Sequence, residues 1–224
     1  MCDNCGCTLT ISPAIKILDQ QDKQALVNIQ IFRENRIFSL NIMGSPGSGK
    51  TSLLEKTIEL LGDRLKIGVI EGDLEESLDA ERIRQKGVPA YQITTGSACH
   101  LDAFMVRHAM SHIPLSDLDI VFIENVGNLV CPAVYSLGVD CNVVVLSVTE
   151  GDDKPAKYPV MFRFAQVLVI SKSDLLPYVD FDISKVISLA RKVNPAIKVM
   201  ELSIKNNIGM DGWINLLNYG VKGT

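Results

Sequence analysis

Apolar residues recur along the chain in six short runs, at 37–43, 66–71, 119–124, 142–147, 167–170 and 198–201. Each run is nearly all apolar rather than alternating, which is the pattern of a parallel strand covered on both faces. Between them lie stretches of helical spacing, at 51–61, 78–86, 100–111, 158–163, 182–193 and 210–219. A further helix is predicted over about 21–34, where Ala25, Leu26, Ile29, Ile31 and Phe32 punctuate a charged background. Strands alternating with helices predict an α/β fold: a doubly wound, mainly parallel sheet with helices on both faces. Ligands of such folds bind at the carboxyl ends of the strands. The expected organisation is a flexible tail over 1–20 that carries a cysteine motif, then a single domain over 21–224.

Composition changes this picture only at its edges. The chain has 224 residues, 47% apolar and 21% charged, enough for a sizeable core. A net charge of −4, with no basic stripe, argues against a nucleic-acid partner. No apolar run reaches the length of a membrane span, and the first residues lack the basic-then-apolar order of a signal peptide. The expected location is therefore the cytoplasm, where thiols stay reduced. Six cysteines in that setting point to metal or redox chemistry rather than disulfides.

The most informative stretch follows the first apolar run. Gly44, Ser45, Pro46, Gly47, Ser48, Gly49, Lys50 and Thr51, with Ser52 after them, match G-x-x-x-x-G-K-[ST] between a strand and a helix. Glycines let the backbone turn tightly enough to point its N–H groups at phosphates, and the helix adds its positive end. Lys50 is placed for the β- and γ-phosphates and the Thr51 hydroxyl for Mg²⁺.

Other strand ends carry more chemistry. The second run ends in Glu71-Gly72-Asp73, and Asp73 is placed to hold Mg²⁺ or orient an attacking water. The third ends in Glu124, three residues before Gly127, whose N–H is positioned for the γ-phosphate. The fifth runs into Ser171-Lys172-Ser173-Asp174. An apolar strand followed by K-x-D is a guanine-reading element: a carboxylate accepts from N1–H and the 2-amino group, which adenine lacks. Ser203, after the sixth run, resembles the loop that packs on that base. The turn-rich stretch after the fourth run holds Lys154 and Lys157.

Soft ligands fall in two groups. Cys2, Cys5 and Cys7 lie within seven residues, close enough to wrap one ion; Ni²⁺, Zn²⁺ and Cu(I) all suit such a set. Cys99, His100 and Cys131 supply two thiolates and an imidazole, a partial shell for Zn²⁺ or Ni²⁺ with a fourth position open. Cys141, at the edge of an apolar run, is read as a packed small residue.

Taken in order, C-x-x-C-G-C, GSPGSGKTS, EGD with DAERI following, GSACHLDA, ENVGNLVCPA, TEGDDKPAKYP and SKSDLLP resemble the HypB family of hydrogenase nickel-incorporation GTPases over essentially the whole chain. The resemblance implies a SIMIBI-class P-loop NTPase that hydrolyses GTP and dimerises with it. It further implies delivery of nickel to [NiFe]-hydrogenase, in company with nickel-handling accessory proteins and the hydrogenase large subunit precursor. It implies that Cys2, Cys5 and Cys7 bind nickel, that Cys99, His100 and Cys131 bind Zn²⁺ or Ni²⁺ at the dimer seam, and that Lys154 or Lys157 reaches the neighbour's nucleotide. Two departures stand out: Ser171 occupies the position usually held by Asn, and there is no His-rich tract. The alternatives are a urease-type nickel accessory GTPase, a metal buffer with a regulatory nucleotide site, and a small-molecule kinase, which the K-x-D element argues against.

Overall fold

The computed structural model of the chain describes residues 13–74 and 78–224. Cys2, Cys5 and Cys7 lie outside them. Seven strands form one sheet: β1 (Phe38–Gly44), β2 (Ile67–Asp73), β3 (Ala90–Thr94), β4 (Ile120–Glu124), β5 (Cys141–Ser147), β6 (Val167–Ser171) and β7 (Lys198–Glu201). Their order is β3-β2-β4-β1-β5-β6-β7 and every pairing is parallel. β1 is central. The chain leaves it towards β2 and β3, returns through β4, and then builds the other half, so the ends of β1 and β4 open on one crevice.

Alternate strand residues feed opposite faces. Leu40, Ile42, Val69, Phe122, Val143 and Val145 pack under α2 (Lys50–Leu61), α3 (Leu78–Arg84) and α8 (Met210–Gly223). Ile70, Val121, Ile123, Val144, Leu146 and Ile170 pack under α1 (Pro13–Glu34), α4 (Ala103–Met110), α6 (Pro159–Phe164) and α7 (Ile183–Val193). Burial on both faces is what made β1, β2, β4, β5 and β6 legible as apolar runs. Trp213 of α8 is fully buried, and its indole N–H donates to Thr57 Oγ1 at 2.8 Å, tying α8 to the helix after the phosphate loop. Cys141, the first residue of β5, is buried as expected, and burial pushes its thiol up to about 12.

Most element ends fall within a few residues of those predicted, and the larger departures have local causes. β3 was not anticipated; it is an edge strand, and none of its five residues is fully buried. α1 begins at Pro13 rather than near residue 21, with proline at a helix start, where its missing N–H costs nothing. α4 begins at Ala103 rather than at 100, because the Asp102 carboxylate accepts from Met105 N at 2.8 Å and caps it. Cys99 and His100 therefore sit on the preceding loop. The charged stretch after β5 contains a one-turn helix, α5 (Lys154–Lys157), separated from α6 by Tyr158, which Pro159 drives out of the helical region. Among the described residues, no helix is long and apolar enough to cross a membrane.

Candidate functional site

The loop from β1 to α2 is shaped by its glycines. Gly44, Gly47 and Gly49 have φ of 156°, 73° and 98°. A Cβ on Gly44 would collide with the Val145 carbonyl, so the approach of β5 also demands glycine there. Lys50 is 7% exposed, and its Nζ lies 3.3 Å from the Ser45 carbonyl, folded back over the loop. α2 starts at Lys50 with no side-chain cap, which leaves its first turn of N–H groups for an anion. A Cβ on Gly127 would press to 2.8 Å from Pro46, so the segment after β4 lies directly against this loop. A cleft of about 530 Å³ is lined by Gly47, Lys50, Thr51, Asp73, Glu124 and Gly127, among others.

The floor of the cleft is acidic. Thr51 Oγ1 donates to Glu124 Oε1 at 2.7 Å, with Asp79 Oδ2 3.2 Å away. Glu124 is buried, and its Oε2 has no hydrogen-bond partner among the described residues. Burial raises its pKa to about 7, against the pull of Lys50 and the Thr51 hydrogen bond; Glu71 and Asp79 add to the rise. A buried acceptor without a partner, next to a hydroxyl and further carboxylates, fits a hard, oxygen-liganded cation such as Mg²⁺. Asp73 stands at the mouth, where its Oδ1 accepts from Leu74 N at 2.6 Å.

A second hollow of about 410 Å³ adjoins the first and is lined by Lys172, Asp174, Ile204 and Lys205. Lys172 adopts φ 58° and its Nζ donates to the Gly47 carbonyl at 2.6 Å, laying its stem along the phosphate loop. Ser203 does not line the hollow; it is buried behind it and donates to Asp174 Oδ1 at 2.7 Å, fixing that carboxylate. Ser171 is fully buried and donates to the Ser48 carbonyl at 2.6 Å. The serine thus bonds the phosphate loop directly. Lys154 and Lys157 do not line the phosphate cleft of their own chain. Lys157 pairs with Asp153 at 2.6 Å, whereas Lys154 Nζ lies 5.5 Å from the Tyr158 ring centroid.

The ligand atoms of Cys99, His100 and Cys131 all lie within 4.8 Å of one another, as the sequence pattern anticipated. His100 stacks on Tyr135 with ring centroids 4.1 Å apart. Burial lowers the His100 pKa, against the opposing effect of Asp102, which favours the neutral imidazole a metal needs. The Cys131 thiol is raised, first by its hydrogen bond with Cys99 and then by burial, so a metal must displace a proton there.

Two asparagines not singled out in the sequence join these regions. Asn125 is buried, and its Oδ1 accepts from both Val126 N at 3.0 Å and Leu101 N at 3.1 Å. Asn128 donates its backbone N–H to the Gly44 carbonyl at 3.1 Å and its side-chain amide to the Cys99 carbonyl at 3.3 Å. Its side chain also pulls the Cys131 pKa down, favouring the thiolate. The two flank Gly127, so the segment nearest the expected γ-phosphate is stitched to the metal-ligand loops.

Residues 38–201 match the family described as CobW/HypB/UreG, nucleotide-binding domain. The hydrogenase maturation factor HypB of Escherichia coli K12 is 50% identical over 203 residues, covering 91% of this chain and 70% of its own length. This chain belongs to the HypB family. The HypB of Azotobacter vinelandii is 52% identical over 198 residues, 88% of this chain; the chain spans 65% of that relative's length. The crystal structure of HypB from Helicobacter pylori in complex with nickel superposes with a TM-score of 0.87 at 40% identity, covering 91% of this chain and 96% of that one.

Within this HypB chain, Asp79, Glu71, Asn125 and Asn128 were not anticipated as site residues. The spacing of the asparagines around Gly127 was the signal available for them; Asp79 opens the DAERI stretch that carries the resemblance, but only the fold returns α3 to Thr51. Ser171→Ala tests the local scaffold. It strands the buried Ser48 carbonyl, so a loss of about 1–3 kcal/mol is expected, read as a lower midpoint in urea. An unchanged midpoint would show that the hydroxyl contributes nothing there.

Proposed function

We propose that this HypB chain is a GTP-hydrolysing metallochaperone that carries nickel for [NiFe]-hydrogenase maturation. The phosphates occupy the loop from Gly44 to Ser52, Asp174 and the Lys172 stem take the guanine, and Thr51, Asp73 and Glu124 face Mg²⁺. When bound, Mg²⁺ neutralises charge on the β- and γ-phosphates. Lys50 does the same from the protein side, and the Gly127 N–H meets the γ-phosphate. Nickel is cargo: Cys99, His100 and Cys131 hold Ni²⁺, or Zn²⁺, with a fourth ligand from solvent or a second copy. Cys2, Cys5 and Cys7 form a further nickel site. GTP favours a homodimer, and Lys154, which makes no ion pair among the described residues, is the better candidate to reach the neighbour's nucleotide. Accessory nickel proteins and the hydrogenase large subunit precursor are the expected partners in the cytoplasm. A likeness to a nickel complex of a HypB supports the cargo.

The observation that carries this reading is Asn128, bonded at once to Gly44 of the phosphate loop and to the Cys99 carbonyl. A γ-phosphate that draws Gly127 inward must move Asn128, and with it the metal ligands. Coupling between two such sites typically amounts to about 1–3 kcal/mol, or roughly 5–150-fold. Nickel release to a chromogenic chelator is therefore expected to differ about tenfold or more between GDP and a non-hydrolysable GTP analogue. Equal release rates would sink the coupling. A metal buffer with an idle nucleotide site would additionally release no phosphate from saturating GTP.

A further inference from the structure

The two segments that carry the second metal cluster are also held from behind, by the first helix. Asn28 on α1 is fully buried. Its amide donates one hydrogen to the Ala103 carbonyl at 2.8 Å and the other to the Leu137 carbonyl at 3.0 Å, while its Oδ1 accepts from Gln24 at 3.0 Å. Gln21, one and a half to two turns earlier on the same face and 9% exposed, accepts the Ala103 N–H at 3.0 Å. Ala103 opens α4 directly after the Cys99–His100 loop, and Leu137 closes the loop that begins at Cys131. The contact is close: Gly138 has φ 77°, and a Cβ there would collide with the Ala25 carbonyl of α1.

We infer that Gln21 and Asn28 are positioning residues for the Cys99–His100–Cys131 site: from α1 they pin both ligand-bearing segments and so set the distance between the ligands. One asparagine side chain spans two segments that share no backbone pairing with each other. Remove it, and the spacing of the two loops loses its support from α1 and rests on the His100–Tyr135 stack and the asparagines beside Gly127. Asn125 and Asn128 bind from the nucleotide side. Partners around a metal site that orient its ligands typically carry 10–100-fold in affinity. The inference rests on the proposed metal site and adds α1 to it as the element that spaces its ligands.

The test uses the full chain with Cys2, Cys5 and Cys7 changed to Ser, so that only the second cluster reports. Ni²⁺ affinity is measured by chelator competition, and the thiolate-to-nickel absorption band is recorded alongside it. Asn28→Ala and Gln21→Ala are each expected to weaken Ni²⁺ about tenfold and to diminish the band, with GDP affinity unchanged. Gln21→Ala, which removes a single hydrogen bond, carries the test if Asn28→Ala does not fold. Unchanged affinity and band in a folded variant overturn the positioning role. If Cys99→Ala in the same background leaves Ni²⁺ binding intact, the metal site itself is wrong, and the inference falls with it for that separate reason.

Discussion

Asp174→Asn is expected to lower kcat/KM for GTP by about 10³-fold or more and to make xanthosine triphosphate the better substrate. Sites built to hydrogen-bond a substrate group reject partners that leave buried polar atoms unpaired, by up to about 10⁴–10⁵. Here the direction of the swap is fixed by Ser203. Its hydroxyl donates to Asp174 Oδ1 at 2.7 Å, so an asparagine keeps its carbonyl oxygen on that side and turns its NH₂ towards the base. That NH₂ opposes the guanine 2-amino group and suits the 2-oxo group of xanthine. Ser203→Ala should blunt the switch, because the amide then loses its orientation. Steady-state kinetics with both nucleotides decide the matter. A variant that keeps GTP kinetics within about threefold would remove base reading from Asp174 and return the nucleotide assignment to the phosphate loop alone.

How far the sequence carried this reading depended on where each signal resides. The strand, phosphate loop and second helix from Ile37 to Leu61 were legible almost residue by residue, because backbone chemistry there dictates residue types. Five strands were legible because both faces are buried; β7, at the other edge, has only Met200 buried. β3 was not, since Tyr91, Gln92 and Thr94 leave no apolar run on an edge. The candidate ligands Cys99, His100 and Cys131 were legible by type, and the fold gathers them. Their supports were not. Asn28 meets residues 75 and 109 positions away, and Asn125 meets Leu101 across a crossover, so no local pattern records these contacts. The Ser171 departure looked like a weakness in one dimension. In three, a shorter side chain on a closely approaching strand reaches the Ser48 carbonyl directly.

Glu124→Gln should separate folding from function in a pH-dependent way. In the ligand-free fold the Glu124 pKa is raised from 4.5 to about 7, with burial the largest cause. Below about pH 4.5 the group is protonated in both folded and unfolded chains and costs nothing. Between about pH 4.5 and 7 the unfolded chain gives up this proton while the folded chain keeps it, so the penalty grows to about 3 kcal/mol by pH 7 and levels off above it. A glutamine can keep the Thr51 hydrogen bond at 2.7 Å through its carbonyl oxygen and removes the charge. The variant is therefore expected to be more stable than the parent at pH 8, by up to about 3 kcal/mol in urea titrations without nucleotide, and no more stable at pH 4.5. The same change removes a negative oxygen from the face assigned to Mg²⁺, so Mg²⁺-dependent GTP turnover should fall by about 10² or more. The carboxylate would then be a group the fold tolerates because the bound cation needs its charge, a stability cost kept at a working site. Equal stability gains at both pH values would mean that the charge is not the source of the cost. Unimpaired turnover would take Glu124 out of the catalytic floor.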